Sequence, residues 1–387
     1  MSLELISLLL VFVLLVVPRA LQRWKIPAPL TCLALGIAAM LGLHDVFHGP
    51  LLTVAATLGI SSLFLFAGLE VDLAALRRAL WPLVAHLAVR SLVLTAAGGL
   101  AWRYAGLPWQ AAGLLALALF TPSTGFIIET LGRLGLNDSE RFWVTSKAIA
   151  GEMLALALLF VLVKVEDPLN MAFSAAILVV MAIVLPFFFM AVARWIAPYA
   201  PGSEFSLLVM AGVIAALVSY KLGVYYLVGA FITGLVARLL QTRVPRLASH
   251  DNLHALRLFA SFFVPFYFFN AGLSVHANAL SWTALGLGLA LTVVALPLRI
   301  AIGWAERRLF GESAADSLRV SIALAPTLVF TLVLAGILHE HFGIPDVLFG
   351  GLLLYAVLTT ALPSLVFNAP FDVDPAEEAP SPAPPAQ

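Results

Sequence analysis

Runs of apolar residues, each close to twenty long, alternate along the chain with short stretches of Pro, Gly and charge. A helix needs about 20 apolar residues to cross the hydrocarbon of a bilayer. Each run therefore reads as a membrane span. The pattern predicts thirteen, at 3–18, 27–43, 51–70, 79–101, 109–132, 142–163, 169–197, 204–220, 223–240, 256–275, 281–305, 315–338 and 345–367. The first is expected to be a true span rather than a cleaved signal, because Met1–Leu10 has no basic region before its apolar stretch. Beyond Phe367, residues 368–387 are rich in Pro, Ala and Glu and are expected to form a disordered cytoplasmic tail.

Composition narrows the class. Hydrophobic residues make up 62% of the chain and charged residues 11%, too much apolar surface for a soluble domain to cover. A formal net charge of zero gives no basic footprint for nucleic acid. Cys32 is the only cysteine, which excludes a disulfide or a multi-cysteine metal site within one chain. Basic residues then orient the spans, because cytoplasmic loops collect Lys and Arg. With the N-terminus outside, fifteen basic residues between Arg19 and Arg319 fall in inside loops. Only Arg103, Lys164 and Lys221 fall outside. The expected protein is a multi-pass protein of the cell membrane, its C-terminus cytoplasmic, with the lipid bilayer as its constant partner.

The spans repeat. AGLEVDLAAL (67–76) and AGLSVHANAL (271–280) match at six of ten positions, at an offset of 204 residues. The same offset carries Pro122, in ALFTPSTGF (118–126), onto Pro326, in IALAPTLVF (322–330). Arg90 and Arg299 form a looser pair in the spans between. An offset of seven helices is odd, so the two copies lie in opposite orientations. Inverted repeats that meet at broken helices are a recurring build of secondary transporters. Pro122 and Pro326 each remove a backbone donor in mid-span, and the freed backbone groups are tolerable only inside protein or beside a water-filled cavity. Thr121, Ser123, Thr124 and Gly125 flank the first break, which makes it a candidate binding region.

A charge within the bilayer costs at least a few kcal/mol and marks function. Glu152 lies about halfway along the sixth span and is the one carboxylate the pattern places near the midplane. Read functionally, it exchanges a proton for a monovalent cation. Read structurally, it is an ion-pair partner of Arg299 or Arg90. Arg299 cannot release its proton and is a candidate counter-charge to Glu152 or to the ends of broken helices. Arg90 is the matching candidate at the other break. Lys147 is five residues from Glu152, a rotation of roughly 140°, and so is on a different helix face. Lys147 is expected to compensate charge, to carry a second proton or to snorkel. Glu70 and Glu129 lie near helix ends, and His339 and His341 flank Glu340 in an outside loop with the look of a surface segment. No phosphate loop, nucleophile set or zinc spacing is present. The expectation is therefore a non-enzyme without cofactor and with no metal beyond a transported cation.

LFLFAGLEVDLAALRR (63–78), YLVGAFITGLVARL (226–239), FFVPFYFFNAGLSVHANAL (262–280) and LRVSIALAPTLVFTLVLAGI (318–337) resemble the monovalent cation:proton antiporter superfamily. The nearest branch holds bacterial sodium/proton and potassium-efflux antiporters. The resemblance implies an all-α fold of about thirteen transmembrane helices, with inverted repeats and two crossed broken helices. It implies core helices at about 79–163 and 281–367, dimerisation helices at about 3–70 and 204–275, and a connector at about 169–197. It further implies a homodimer and an elevator-like exchange of a monovalent cation, Na+ or K+, for protons. TPSTGF (121–126) is similar to the first crossing helix, and Pro326 with Thr327 to the second. Glu152 falls where the family carries its ion-binding Asp, and Arg299 where it carries a core Lys or Arg. Three departures stand out: Gly151 in place of a polar or acidic neighbour, Glu in place of Asp, and Lys147 where some exchangers have Glu. They leave one alternative, a membrane sensor or partner-binding protein that keeps the fold without transport.

Overall fold

The computed structural model describes residues 3–367 apart from 48, 73–75, 78, 133, 197, 201 and 245–248. Arg78, Arg133 and Arg246 of the basic loops, and the expected tail at 368–387, lie outside the described residues. All described regular structure is helical. The first group comprises α1 (Leu3–Gln22), α2 (Ala28–Phe47) and α3 (Pro50–Leu69). The second comprises α4 (Leu80–Tyr104), α5 (Trp109–Phe120), α6 (Thr124–Leu131) and α7 (Asp138–Lys164). After α8 (Pro168–Trp195) come α9 (Ser203–Lys221), α10 (Tyr226–Leu239) and α11 (His250–Leu273). A single 3-10 turn (Ala277–Leu280) leads to α12 (Trp282–Leu309), α13 (Ala314–Ala323), α14 (Leu328–Phe342) and α15 (Asp346–Val366).

Local chemistry sets several of these ends. Asn137 and Glu140 form a reciprocal capping box at the start of α7, satisfying two amides that a helix start leaves without partners. Ser249, Ser281 and Ser313 cap α11, α12 and α13. Gly343 ends α14 with φ at +59°, a left-handed conformation that suits glycine.

Nine helices, with α5 and α6 taken as one, are long and apolar enough to cross a membrane. The pair α13–α14, bent by 47°, makes a tenth among the described residues. Against the expected thirteen, the described residues give nine or ten spans on length and composition. The remaining expected spans fall on α1 and α2, 20 residues each, and on α10, 14 residues. At 1.5 Å per residue α1 and α2 are as long as the hydrocarbon is thick, and α10 covers only part of it. By contrast α4, α8 and α12 are long and little buried, and they turn residues such as Leu92, Phe187 and Val294 outward. These are the faces a bilayer would cover.

The repeat appears as contact. α3 packs along α10 and α11, and α2 along α11. Gly68 of α3 meets the backbone of Phe231 and Gly234 of α10, and Gly272 of α11 meets the backbone of Leu33 and Gly36 of α2. A Cβ at any of these four glycines would collide with backbone. Gly68 and Gly272 are the pair related by 204 residues, so the second crossing repeats the first. In the remaining helices α4 packs along α5, and α12 along α15.

Candidate functional site

The two breaks meet. Between α5 and α6 the chain is extended over Thr121–Ser123, and between α13 and α14 it is non-helical over 325–327. The Ser123 N–H donates to the Pro326 carbonyl at 2.8 Å. One break thus supplies a donor that its own helix has lost, and the other supplies the acceptor. The Thr331 hydroxyl, on α14, donates to the Ala118 carbonyl of α5 at 2.7 Å.

The carboxyl-terminal ends created by the breaks are each faced by an arginine. Arg90 of α4 donates to the Phe120 carbonyl. Arg299 of α12 donates to the Leu324 and Ala325 carbonyls, both at 3.0 Å, and to the Tyr355 hydroxyl at 3.0 Å. Tyr355, fully buried on α15, donates its hydroxyl to the Leu119 carbonyl. Phe120 and Leu324 are 204 residues apart, so the arginines serve equivalent carbonyls. A helix end carries partial negative charge, and a guanidinium there offsets it.

Glu152 is 1% exposed. It lies against Thr124, within electrostatic reach of the hydroxyl and backbone N–H at the start of α6. Its Oε2, like the Thr121 and Thr124 hydroxyls, has no hydrogen-bond partner among the described residues. A buried polar oxygen without a partner costs about 1–3 kcal/mol, and Thr121 and Thr124 both belong to the first break, with Glu152 against Thr124. Neither Arg90 nor Arg299 pairs with Glu152, since both are turned to carbonyls. Gly151 lies beside Arg90: a Cβ there would lie 3.4 Å from Arg90 Nε, at van der Waals contact. Thr327 does not join the open set, because its hydroxyl is bonded to that of Thr359 at 3.0 Å. Ser123 contributes its backbone N–H.

Lys147 is 3% exposed and reaches neither break. Its Nζ donates to Glu306 Oε1 at 2.7 Å, and His86 Nδ1 lies 2.8 Å from Glu306 Oε2. Sequence reasoning missed this buried triad, because span 11 was ended at residue 305. The helix runs on to Leu309. Arg299 and Glu306 are seven residues apart and so share a face, a spacing that could have revealed the carboxylate. A cavity lined by His86, Arg90, Lys147, Arg299 and Glu306 leads to the carbonyl ends at Phe120 and Leu324. Glu129 is exposed on α6 and takes no part in this lining.

The sequence matches, over residues 8–371, the family described as sodium/hydrogen exchanger, transmembrane. The fold is similar to that of the sodium proton antiporter MjNhaP1 from Methanocaldococcus jannaschii at pH 8. That match has a TM-score of 0.67 and 14% identity, covering 95% of this chain and 97% of that one. A second structure of MjNhaP1 matches with a TM-score of 0.61 and 17% identity, covering 95% and 96%. At these identities the likeness is one of fold. No curated protein sequence matches the chain.

Proposed function

The chain belongs to the sodium/hydrogen exchanger family, and from that premise we propose that it exchanges Na+ or K+ for protons at Glu152. The observation that carries the reading is the first break itself. A buried carboxylate lies against Thr124 at a helix break where, among the described residues, its Oε2 and the Thr121 and Thr124 hydroxyls have no hydrogen-bond partner. Oxygen ligands of this kind suit a dehydrated monovalent cation, and a carboxylate can hold a proton instead. The arginines stay charged throughout and stabilise the helix ends.

In this reading α4–α7 and α12–α15 form a core that moves, elevator-like, against α1–α3 and α9–α11, with α8 as connector. Close glycine contacts between α2 and α11 and between α3 and α10 favour a stiff scaffold, which would serve as the dimerisation unit of a homodimer. The fifteen-to-three distribution of basic residues favours an outside N-terminus and a cytoplasmic C-terminus.

A pH-dye assay in proteoliposomes, run with Na+, K+ and Li+ gradients, tests the proposal. Wild type is expected to move protons with at least one cation, and Glu152→Gln, folded and monodisperse, to fall to the leak of empty vesicles. Wild-type rates in Glu152→Gln would contradict the assignment. No proton movement with any cation would favour the transport-deficient sensor.

A further inference from the structure

Away from the breaks, three side chains from different elements converge at one end of the helices. His276 lies in the linker between α11 and the 3-10 turn, His339 in the last turn of α14, and Asp346 is the first residue of α15. One ligand atom from each lies within 4.8 Å of the others. The two imidazole rings are 5.2 Å apart, centroid to centroid.

The geometry of His339 gives the cluster its chemistry. Its Nδ1 lies 3.3 Å from the Ile344 carbonyl. A carbonyl can only accept, so Nδ1 carries the proton and Nε2 keeps its lone pair. That lone pair faces Asp346, with Nε2 to Oδ1 at 3.8 Å. This is too long for a hydrogen bond. It is near the separation of about 3.4 Å between two ligand atoms on tetrahedral zinc, given bonds of about 2.0–2.1 Å. An imidazole whose second nitrogen donates to a backbone carbonyl is the usual arrangement of a metal-ligating histidine. His339 and Asp346 are partly buried, and His276 is exposed on the linker.

We propose that His276, His339 and Asp346 form a binding site for a divalent transition metal of the zinc class. Two imidazoles and one carboxylate select Zn2+ and its neighbours over the hard cations Mg2+ and Ca2+, which prefer all-oxygen sites. Three protein ligands leave a fourth position for water. The site lies on the face that the basic-loop distribution assigns to the outside. It ties the linker after α11 to α14 and α15. On the antiporter reading above, that linker joins scaffold to core, so an ion bound there slows exchange.

The test uses full-length protein in detergent, purified without a polyhistidine tag. Zn2+ is titrated by calorimetry, and Co2+ by the visible absorption of its tetrahedral complex. One saturable ion per chain is expected, lost in His339→Ala and in Asp346→Ala and retained in His341→Ala, a change at an exposed neighbour outside the cluster. No saturable binding, or binding that survives His339→Ala, would overturn the site. In proteoliposomes, external Zn2+ is expected to slow wild-type proton movement several-fold and to leave His339→Ala unaffected. Binding without slowing would overturn the link to transport. A wild type that moves no protons even without Zn2+ would instead count against the antiporter reading and leave the titration to judge the site.

Discussion

The two breaks are related by the internal repeat, yet one is closed and the other open. At the second, Thr327 is bonded to Thr359, and the Leu324 and Ala325 carbonyls are held by Arg299, which Tyr355 braces. At the first, Arg90 holds the Phe120 carbonyl, while Thr121, Thr124 and Glu152 each keep an oxygen without a partner. The residue 204 positions after Glu152 is Ala356, beside the Tyr355 that completes the second network. Duplication supplies two interrupted helices. On the proposed reading, substitution makes one a brace and leaves the other as the site. A buried polar network is stable when every member is satisfied and costly when it is not, so the unpaired oxygens belong where a ligand completes them.

The comparison can be broken at the braced side first. Arg299→Ala removes the donor from two carbonyls and from Tyr355, at about 1–3 kcal/mol for each buried acceptor left without a partner. Arg90→Ala removes the donor from one carbonyl. Thermal unfolding in detergent is expected to show the larger drop for Arg299→Ala. Equal drops would mean that the two breaks are braced alike.

A smaller effect separates the threonines. Thr327→Val loses one interhelical hydrogen bond, worth about 0.6 kcal/mol within a membrane protein, and should lower stability slightly while leaving apparent cation affinity unchanged. Thr124→Val removes the hydroxyl beside Glu152, and is expected to weaken apparent cation affinity several-fold. Cation titrations of proton movement distinguish the two, and a reversal of the pattern would place the site at the second break.

The smallest effect is an expected absence. Lys147 is engaged by Glu306 and does not reach the first break, which leaves one exchangeable carboxylate there. Exchange of one proton for one monovalent cation moves no net charge. An imposed membrane potential should therefore not drive proton movement at fixed ion gradients. A voltage response that disappears in Lys147→Gln would draw Lys147 into the transport step.

The symmetry, not the asymmetry, was legible in the chain. The shared offset of 204 residues places Pro122 and Pro326 in equivalent spans, and the tally of buried charge leads to Glu152, Arg90 and Arg299. The partners of those charges were not legible. Glu306 stands in AERRL, a charged run that reads as the start of a loop, until the helix is seen to continue to Leu309. Tyr355 and Thr359 are unremarkable positions in an apolar span, and only tertiary packing brings them to Arg299 and Thr327. Hydropathy also merged a short helix with long ones: α10, 14 residues long, reads as a span because apolar content alone does not measure how far a helix reaches. His276 and His339 are 63 residues apart in sequence, and no local spacing connects them.

The account rests on Glu152 holding a proton that a cation displaces. The most direct measurement is proton release from detergent-solubilised protein in weakly buffered solution, followed by a pH dye as Na+ or K+ is added. Wild type is expected to release close to one proton per cation bound, saturating with added salt, while Glu152→Gln releases none and Thr327→Val behaves as wild type. Undiminished, saturable release from folded Glu152→Gln would contradict the claim that the first break is the exchange site.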